Sequence, residues 1–289
     1  MDHYAHINNL RLHYLARDGG DPVLLLLPGL TANAHSFDGL VAAGLSPRYR
    51  PIAVDFRGRG LSDKPATGYS MAEYCGDVLG LMDELGLDTA VLCGHSFGAL
   101  IGLILAAQHP ERFSHLIMLD SSHLLITPET VTLIKASLDR LGKTLPSMDA
   151  YLAAMRQMPY LQGYWDDCLE SNFRADVRVN PDGSVQPHAT PAIIAETIEH
   201  EYAEPWLESV TAVTQPVLLL NAPNPYGPPG APPILSAKMA RETAVLFANC
   251  TYQQVPGNHI TMLFGENARH TMAAISDFGF GISESGEPV

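Results

Sequence analysis

The five residues Gly94-His95-Ser96-Phe97-Gly98 constrain this chain more than any other feature, because of what flanks them. The apolar run 90–93 leads in, and the small, apolar, helix-compatible stretch 99–108 leads out. A strand that turns sharply into a helix at a serine exposes the hydroxyl and aims the helix's free N–H groups at any negative charge forming beside it. Glycine on both sides lets neighbouring backbone come close. Gly-x-Ser-x-Gly is weak as a bare pattern, and its placement between strand and helix is what gives it weight.

The rest of the chain fits that placement. Short runs rich in Val, Ile and Leu alternate with longer helical patterns, which predicts an α/β fold with a mostly parallel central sheet and helices on both faces. Strands are expected at 11–16, 23–27, 52–54, 90–93, 116–119, 217–220 and 252–255, and a helix at 71–85 that stops at Gly86. The last four of these strands lead to residues with chemical potential: Ser96, Asp120, Asn221 and His259. Between 121 and 214 the strand rhythm gives way to helical segments rich in Met and aromatic residues. That reads as a helical cap inserted between two strands, with a small hairpin pairing 176–179 with 184–186 across Asn180-Pro181-Asp182-Gly183. The expected division is a core of 1–120 and 215–278, a cap of 121–214 and a flexible tail of 279–289.

Composition narrows the partners. A length of 289 residues suits one α/β domain with an insertion, and a net charge of -14 argues against nucleic acid or an anionic membrane surface as partner. No apolar stretch approaches a membrane span. Polar residues interrupt 1–14, so a secretion signal is not expected there. Four scattered cysteines, Cys75, Cys93, Cys168 and Cys250, suit thiols in a reducing compartment, and the expected location is cytoplasmic. No spacing implies a metal or an organic cofactor. The expected partner is a small-molecule substrate, and exposed apolar cap residues leave room for a homodimer.

Four segments, Leu27-Pro28-Gly29-Leu30-Thr31, Asp55-Phe56-Arg57-Gly58-Arg59-Gly60-Leu61-Ser62, the turn around Ser96, and Val255-Pro256-Gly257-Asn258-His259, resemble the α/β-hydrolase fold superfamily. The resemblance covers nearly all of the chain outside the cap. It implies Ser96 as nucleophile, a histidine late in the chain as base, and an oxyanion hole made by the N–H groups of Leu30 and Phe97. His259, after a strand and a Pro-Gly turn, fits the base best; His95, His109, His35, His123, His188 and His200 have blander readings. The Arg57-Gly58-Arg59-Gly60 turn reads as structural, although Arg57 or Arg59 could bind an anionic substrate.

The acid departs from the commonest family pattern. Most relatives carry it after the strand that follows the cap, where this chain reads Asn221-Ala222-Pro223-Asn224-Pro225-Tyr226-Gly227-Pro228-Pro229, without a carboxylate. Some place it after the strand before the cap, where Asp120 stands here. Asp120 is therefore the expected triad acid. It could instead merely cap the start of the insertion, leaving Glu196, Glu199, Glu201 or Glu204 to reach inward from the cap. His35, His123, Met155, Trp165 and Trp206 are candidate walls of the substrate pocket.

The leading expectation is a serine esterase or lactonase working through an acyl-enzyme, with amide or carbon–carbon hydrolysis on the same triad as the alternative. Family members with the early acid include both lactone and amide hydrolases. Asp at the nucleophile position, as in the resembling haloalkane dehalogenases and epoxide hydrolases, is not what this chain carries. Two further classes stay open on the same scaffold: a cofactor-free dioxygenase using a His–Asp pair, and a hydrolase-derived receptor.

Overall fold

The computed structural model describes residues 1–161 and 163–280. Among the described residues there are ten strands: β1 Asp2–Ile7, β2 Leu10–Ala16, β3 Val23–Leu27, β4 Arg50–Val54, β5 Ala90–His95, β6 Phe113–Leu119, β7 Val177–Val179, β8 Val185–Pro187, β9 Val217–Asn221 and β10 Cys250–Gln254. Eight of them form one sheet in the order β1-β2-β4-β3-β5-β6-β9-β10, and β7 with β8 is a separate hairpin. From β4 to β10 all neighbours are parallel, while β1–β2 and β2–β4 are antiparallel. Strands β3, β5 and β9 are buried along their whole length, as continuous apolar runs covered on both faces must be.

Register positions the chemistry. Leu27 pairs with Gly94, His95 with Leu119, Leu119 with Leu220 and Asn221 with Gln254. The carboxyl ends of five adjacent strands therefore lie level, and the loops that leave them share one rim, the edge where open α/β sheets place ligands.

The helix Met71–Glu84 starts on a capping box between Ser70 and Glu73. The helix Phe97–Gln108 is buried over nearly all its length because the sheet lies on one side and the helix Trp206–Ala212 packs on the other. Helices and the β7–β8 hairpin occupy the stretch between β6 and β9. Trp206–Ala212, grouped with the cap on sequence, covers the elbow helix instead and is part of the core layer.

Three features went unread in the sequence. β1 is an edge strand that buries only Ala5 and Ile7, so its run of His, Tyr and Asp looks irregular. Short helical turns fill 34–48, where no element was expected. Phe280 packs edge-on to Tyr49 at 5.1 Å and to His115 at 5.3 Å, so the expected tail does not begin at 279. The remainder of that tail, 281–289, lies outside the described residues. Among the described residues no helix is long and apolar enough to cross a membrane.

Candidate active site

Ser96 sits between β5 and its helix with φ 54° and ψ −119°, a conformation that a non-glycine residue holds only when its surroundings force it. The flanking glycines show what forces it. A Cβ on Gly98 would lie 2.0 Å from the Leu27 carbonyl oxygen, and one on Gly94 would lie 2.4 Å from the Ala99 nitrogen. Ser96 N–H donates to the Leu119 carbonyl (3.0 Å), and Ser121 Oγ donates to the Ser96 carbonyl (2.9 Å), which ties the turn to β6.

His259 arrives from the loop after β10. Its Nε2 lies 3.0 Å from Ser96 Oγ and its Nδ1 2.8 Å from Asp120 Oδ2. A carboxylate oxygen can only accept, so Nδ1 carries the proton and Nε2 is left as an acceptor aimed at the serine. Asn258 fixes the loop: its Oδ1 accepts from the Ile260 and Thr261 N–H groups, and its Nδ2 donates to the Tyr160 carbonyl (2.8 Å).

Asp120 is fully buried and, like Ser96, has positive φ (50°). Its Oδ1 accepts from Ala222 N–H (2.8 Å) and Asn221 Nδ2 (3.1 Å), which leaves Oδ2 to face the imidazole. Asn221 is itself held: Nδ2 also donates to the Leu235 carbonyl (2.8 Å), while its Oδ1 accepts from Gln254 Nε2 (3.1 Å) and Tyr252 OH (3.3 Å). The loop after β9 carries no carboxylate, and Asn221, the last residue of that strand, supplies an amide that orients the carboxylate just after β6.

Leu30 and Phe97 both line the cleft that contains Ser96 and His259. Among the described residues their N–H groups have no protein acceptor. Arg59 fixes the Leu30 peptide from behind, with Nε donating to the Leu30 carbonyl (2.8 Å), Nη1 to the Arg57 carbonyl (3.2 Å) and Nη2 to Thr197 Oγ1 (3.2 Å). Arg57 clasps Asp77 through two bonds of 2.7 Å. Neither arginine lines the cleft, so the suggested contact with an anionic substrate is not made. Asp55 accepts from Ala34 N–H (2.7 Å) and Leu61 N–H (2.8 Å), stitching two core loops together.

His95 is no rival to His259 but its neighbour. The rings lie 4.6 Å apart, and His95 Nε2 donates to the His259 carbonyl (2.7 Å). Burial, reinforced by the nearby His259, drives His95 down to about 3, so it is neutral and adds no charge beside the catalytic-type imidazole. Tyr226, from the loop after β9, stands edge-on to His259 at 5.9 Å and stacks on Tyr160 at 4.4 Å.

The expected pocket walls are corrected by the structure. His35 pairs with Asp38 (2.7 Å), and His123 lies 3.4 Å from Thr243 Oγ1. Met155 is buried in the core, Trp165 stacks on Phe173 at 5.6 Å, and Trp206 Nε1 donates to the Glu201 carbonyl (2.8 Å). None of the five lines the cleft. These large side chains are taken up in packing, and the insertion's share of the cleft wall is mostly Ile, Leu, Val and Thr, with Glu201 and Tyr202. Of the cap glutamates, Glu196 accepts from the Gly68 and Tyr69 N–H groups and anchors the insertion to the core; Glu201 alone lines the cleft.

Two hollows share Leu30, Ser96, Ile134 and His259 in their walls: one of about 550 Å³ including its open mouth, and one of about 420 Å³ bordered by Ser137, Leu138 and Tyr226. Among the described residues no lysine or arginine lines either, and Arg140 lines a third hollow that adjoins the second. Among the described residues no group of three or more His, Cys, Asp and Glu side chains is placed to hold a metal. The hydrogen-bonded line from Asp120 through His259 to Ser96 can move a proton off a serine hydroxyl and return it to a leaving group.

Comparison with known proteins agrees with this architecture. Residues 22–251 match the alpha/beta hydrolase fold family. The chain is similar to 2-(acetamidomethylene)succinate hydrolase of Mesorhizobium japonicum, 32% identical over 207 residues that span 70% of this chain and 71% of that protein. The crystal structure of E-2-(acetamidomethylene)succinate hydrolase superposes with a TM-score of 0.80 at 26% identity, covering 96% of this chain and 98% of that one. The enol-lactonase from Burkholderia xenovorans LB400 shares the fold, with a TM-score of 0.70 at 23% identity over 95% and 98% of the two chains.

Proposed function

The chain belongs to the alpha/beta hydrolase fold family, and from that membership we propose that it is a serine hydrolase that cleaves an uncharged ester or lactone through an acyl-enzyme. The observation that carries the reading is the continuous line Asp120–His259–Ser96, with bonds of 2.8 and 3.0 Å. Ser96 Oγ attacks the carbonyl as His259 Nε2 takes its proton, and Asp120 stabilises the imidazolium and keeps it oriented. The N–H groups of Leu30 and Phe97 hold the oxyanion. His259 then protonates the leaving group, and water clears the acyl-enzyme by the same route.

The absence of lysine and arginine from both hollows supports a substrate without a carboxylate. Arg140, a buried guanidinium of the insertion, is already paired with Asp176 (2.9 Å). In this the chain differs from what a succinate-derived substrate, such as the one its relative is named for, asks of a site. A second reading, cleavage of an amide on the same triad, draws support from that relative's acetamido substrate and the 0.80 TM-score to the corresponding crystal structure.

A fluorophosphonate probe followed by a panel of esters, lactones and amides tests both readings. Labelling at Ser96, lost in Ser96→Ala, is expected, and the panel ranks the bonds. No labelling together with no turnover across the panel overturns the proposal.

A further inference from the structure

Glu201 is the one carboxyl group on the wall of the larger hollow beside Ser96 and His259. It lies on the helix Pro191–Ala203, one turn after Thr197, and is only 7% exposed. Among the described residues its carboxyl has no hydrogen bond and no salt bridge. The cation that acts on it, Arg59, directs its donors to Leu30, Arg57 and Thr197 instead. Most of the remaining wall is aliphatic, including Leu30, Leu100 and Ile198. The side chain is buried while its carboxyl oxygens remain accessible from the cleft, so a ligand group seated there completes their hydrogen bonding.

We infer that the Glu201 carboxyl is the specificity-determining contact of this site: it takes an uncharged oxygen of the substrate, a ketone or hydroxyl remote from the scissile carbonyl. The site thereby selects neutral oxygenated acyl compounds over hydrocarbon ones and rejects those bearing a second carboxylate. This rests on the serine-hydrolase reading above. Burial pushes Glu201 up to about 8, with Arg59 pulling the other way, so at neutral pH the group is a carboxylic acid with a proton to donate. Donation to a ketone or hydroxyl satisfies it without placing a net charge in the cleft. A substrate carboxylate would meet no lysine or arginine on this wall, and Arg140, which lines a neighbouring hollow, is already paired with Asp176. A site built around a buried hydrogen-bonding group discriminates strongly against an analogue that leaves it unpaired.

The test uses p-nitrophenyl esters of matched medium-chain alkanoates, their oxo-substituted counterparts and their terminal carboxylates, with the full-length protein. Wild type is expected to favour oxo over alkyl esters by about tenfold or more in kcat/KM, the scale of one buried hydrogen bond to an otherwise unpaired group, and to turn over the carboxylates least. Glu201→Gln keeps an amide donor and should retain the preference. Glu201→Leu should bring the oxo-to-alkyl ratio in kcat/KM close to one. Absence of the preference in wild type, or its survival in Glu201→Leu, overturns the inference. If no ester is turned over, the ester reading fails by itself. Glu201 is then read by calorimetry of the matching oxo and alkyl amides on Ser96→Ala and on Ser96→Ala with Glu201→Leu: loss of an oxo preference in the double variant supports the contact, and equal binding refutes it.

Discussion

Replacing Asp120 by asparagine tests the proposed triad more sharply than truncating it, because the surrounding hydrogen bonds dictate which way the new amide must face. In the wild type, Oδ1 accepts from Ala222 N–H and Asn221 Nδ2, and Oδ2 accepts from His259 Nδ1. The asparagine has one oxygen and one NH2 to fill those two places. With NH2 toward Ala222 and Asn221, donors meet donors twice in a fully buried site, at roughly 1–3 kcal/mol for each lost bond. Asn221 cannot relieve this by turning over, because its NH2 serves Leu235 and its oxygen serves Gln254 and Tyr252. With NH2 toward His259, the only change required is that Nδ1 become the acceptor, a switch between two neutral tautomers that costs much less than two buried clashes.

The second arrangement therefore wins, and it moves the imidazole proton to Nε2, where it points at Ser96 Oγ. The ring then donates to the hydroxyl it should deprotonate. Nothing is removed from the cleft, so the fold and ligand affinity should hold while kcat falls about 10⁴-fold, the size of this tautomer effect in serine-protease triads, or roughly 5 kcal/mol of barrier. The rate of fluorophosphonate labelling at Ser96 reads the loss independently of the substrate, and ¹⁵N shifts of His259 report the tautomer. A variant that labels within about tenfold of wild type, or whose His259 still carries its proton on Nδ1, refutes the reasoning and returns the acid to the cap.

Three other outcomes follow from the same contacts. Asn221→Leu strips two donor and two acceptor bonds from around Asp120; turnover should fall by about tenfold to a hundredfold through kcat, with KM little changed, as a loosened carboxylate requires and as steady-state kinetics would show. Gly98→Ala places a Cβ 2.0 Å from the Leu27 carbonyl, so the elbow must open; soluble yield and thermal midpoint should drop, and a variant of wild-type stability with unreduced labelling would contradict the packing. Glu201 keeps its proton in the folded chain up to about 8, whereas an unfolded glutamate releases it near 4.5, so stability falls as pH rises across that window. At about 1.4 kcal/mol per pH unit the loss has a ceiling of about 5 kcal/mol, and urea unfolding at several pH values should show Glu201→Gln gaining on wild type between those limits and not beyond them.

What could be read in advance divides along a physical line. The apolar runs of β3, β5, β9 and the second half of β6 announce themselves because both their faces are buried, and the residues just beyond two of them, Ser96 after β5 and Asp120 after β6, make up the candidate triad with His259 after β10. β1 shows only a half-buried alternation and went unread. Ser96, His259 and Asp120 were legible because each obeys a local rule: a glycine-flanked turn, a Pro-Gly turn, a strand end. What makes them one site is the level register of β5, β6, β9 and β10, which no local rule states. The pocket failed for a related reason. Choosing large side chains for its wall assumed that size means contact with ligand, yet Trp206 and Met155 are buried in the packing of the core. Glu201 was visible only as one of four cap carboxylates, since helical spacing puts it on the same face as Thr197 without saying what that face meets. The distinction among the four is made by position: Glu196 is held by two backbone donors, and Glu201 alone of the four stands on the cleft wall beside the serine.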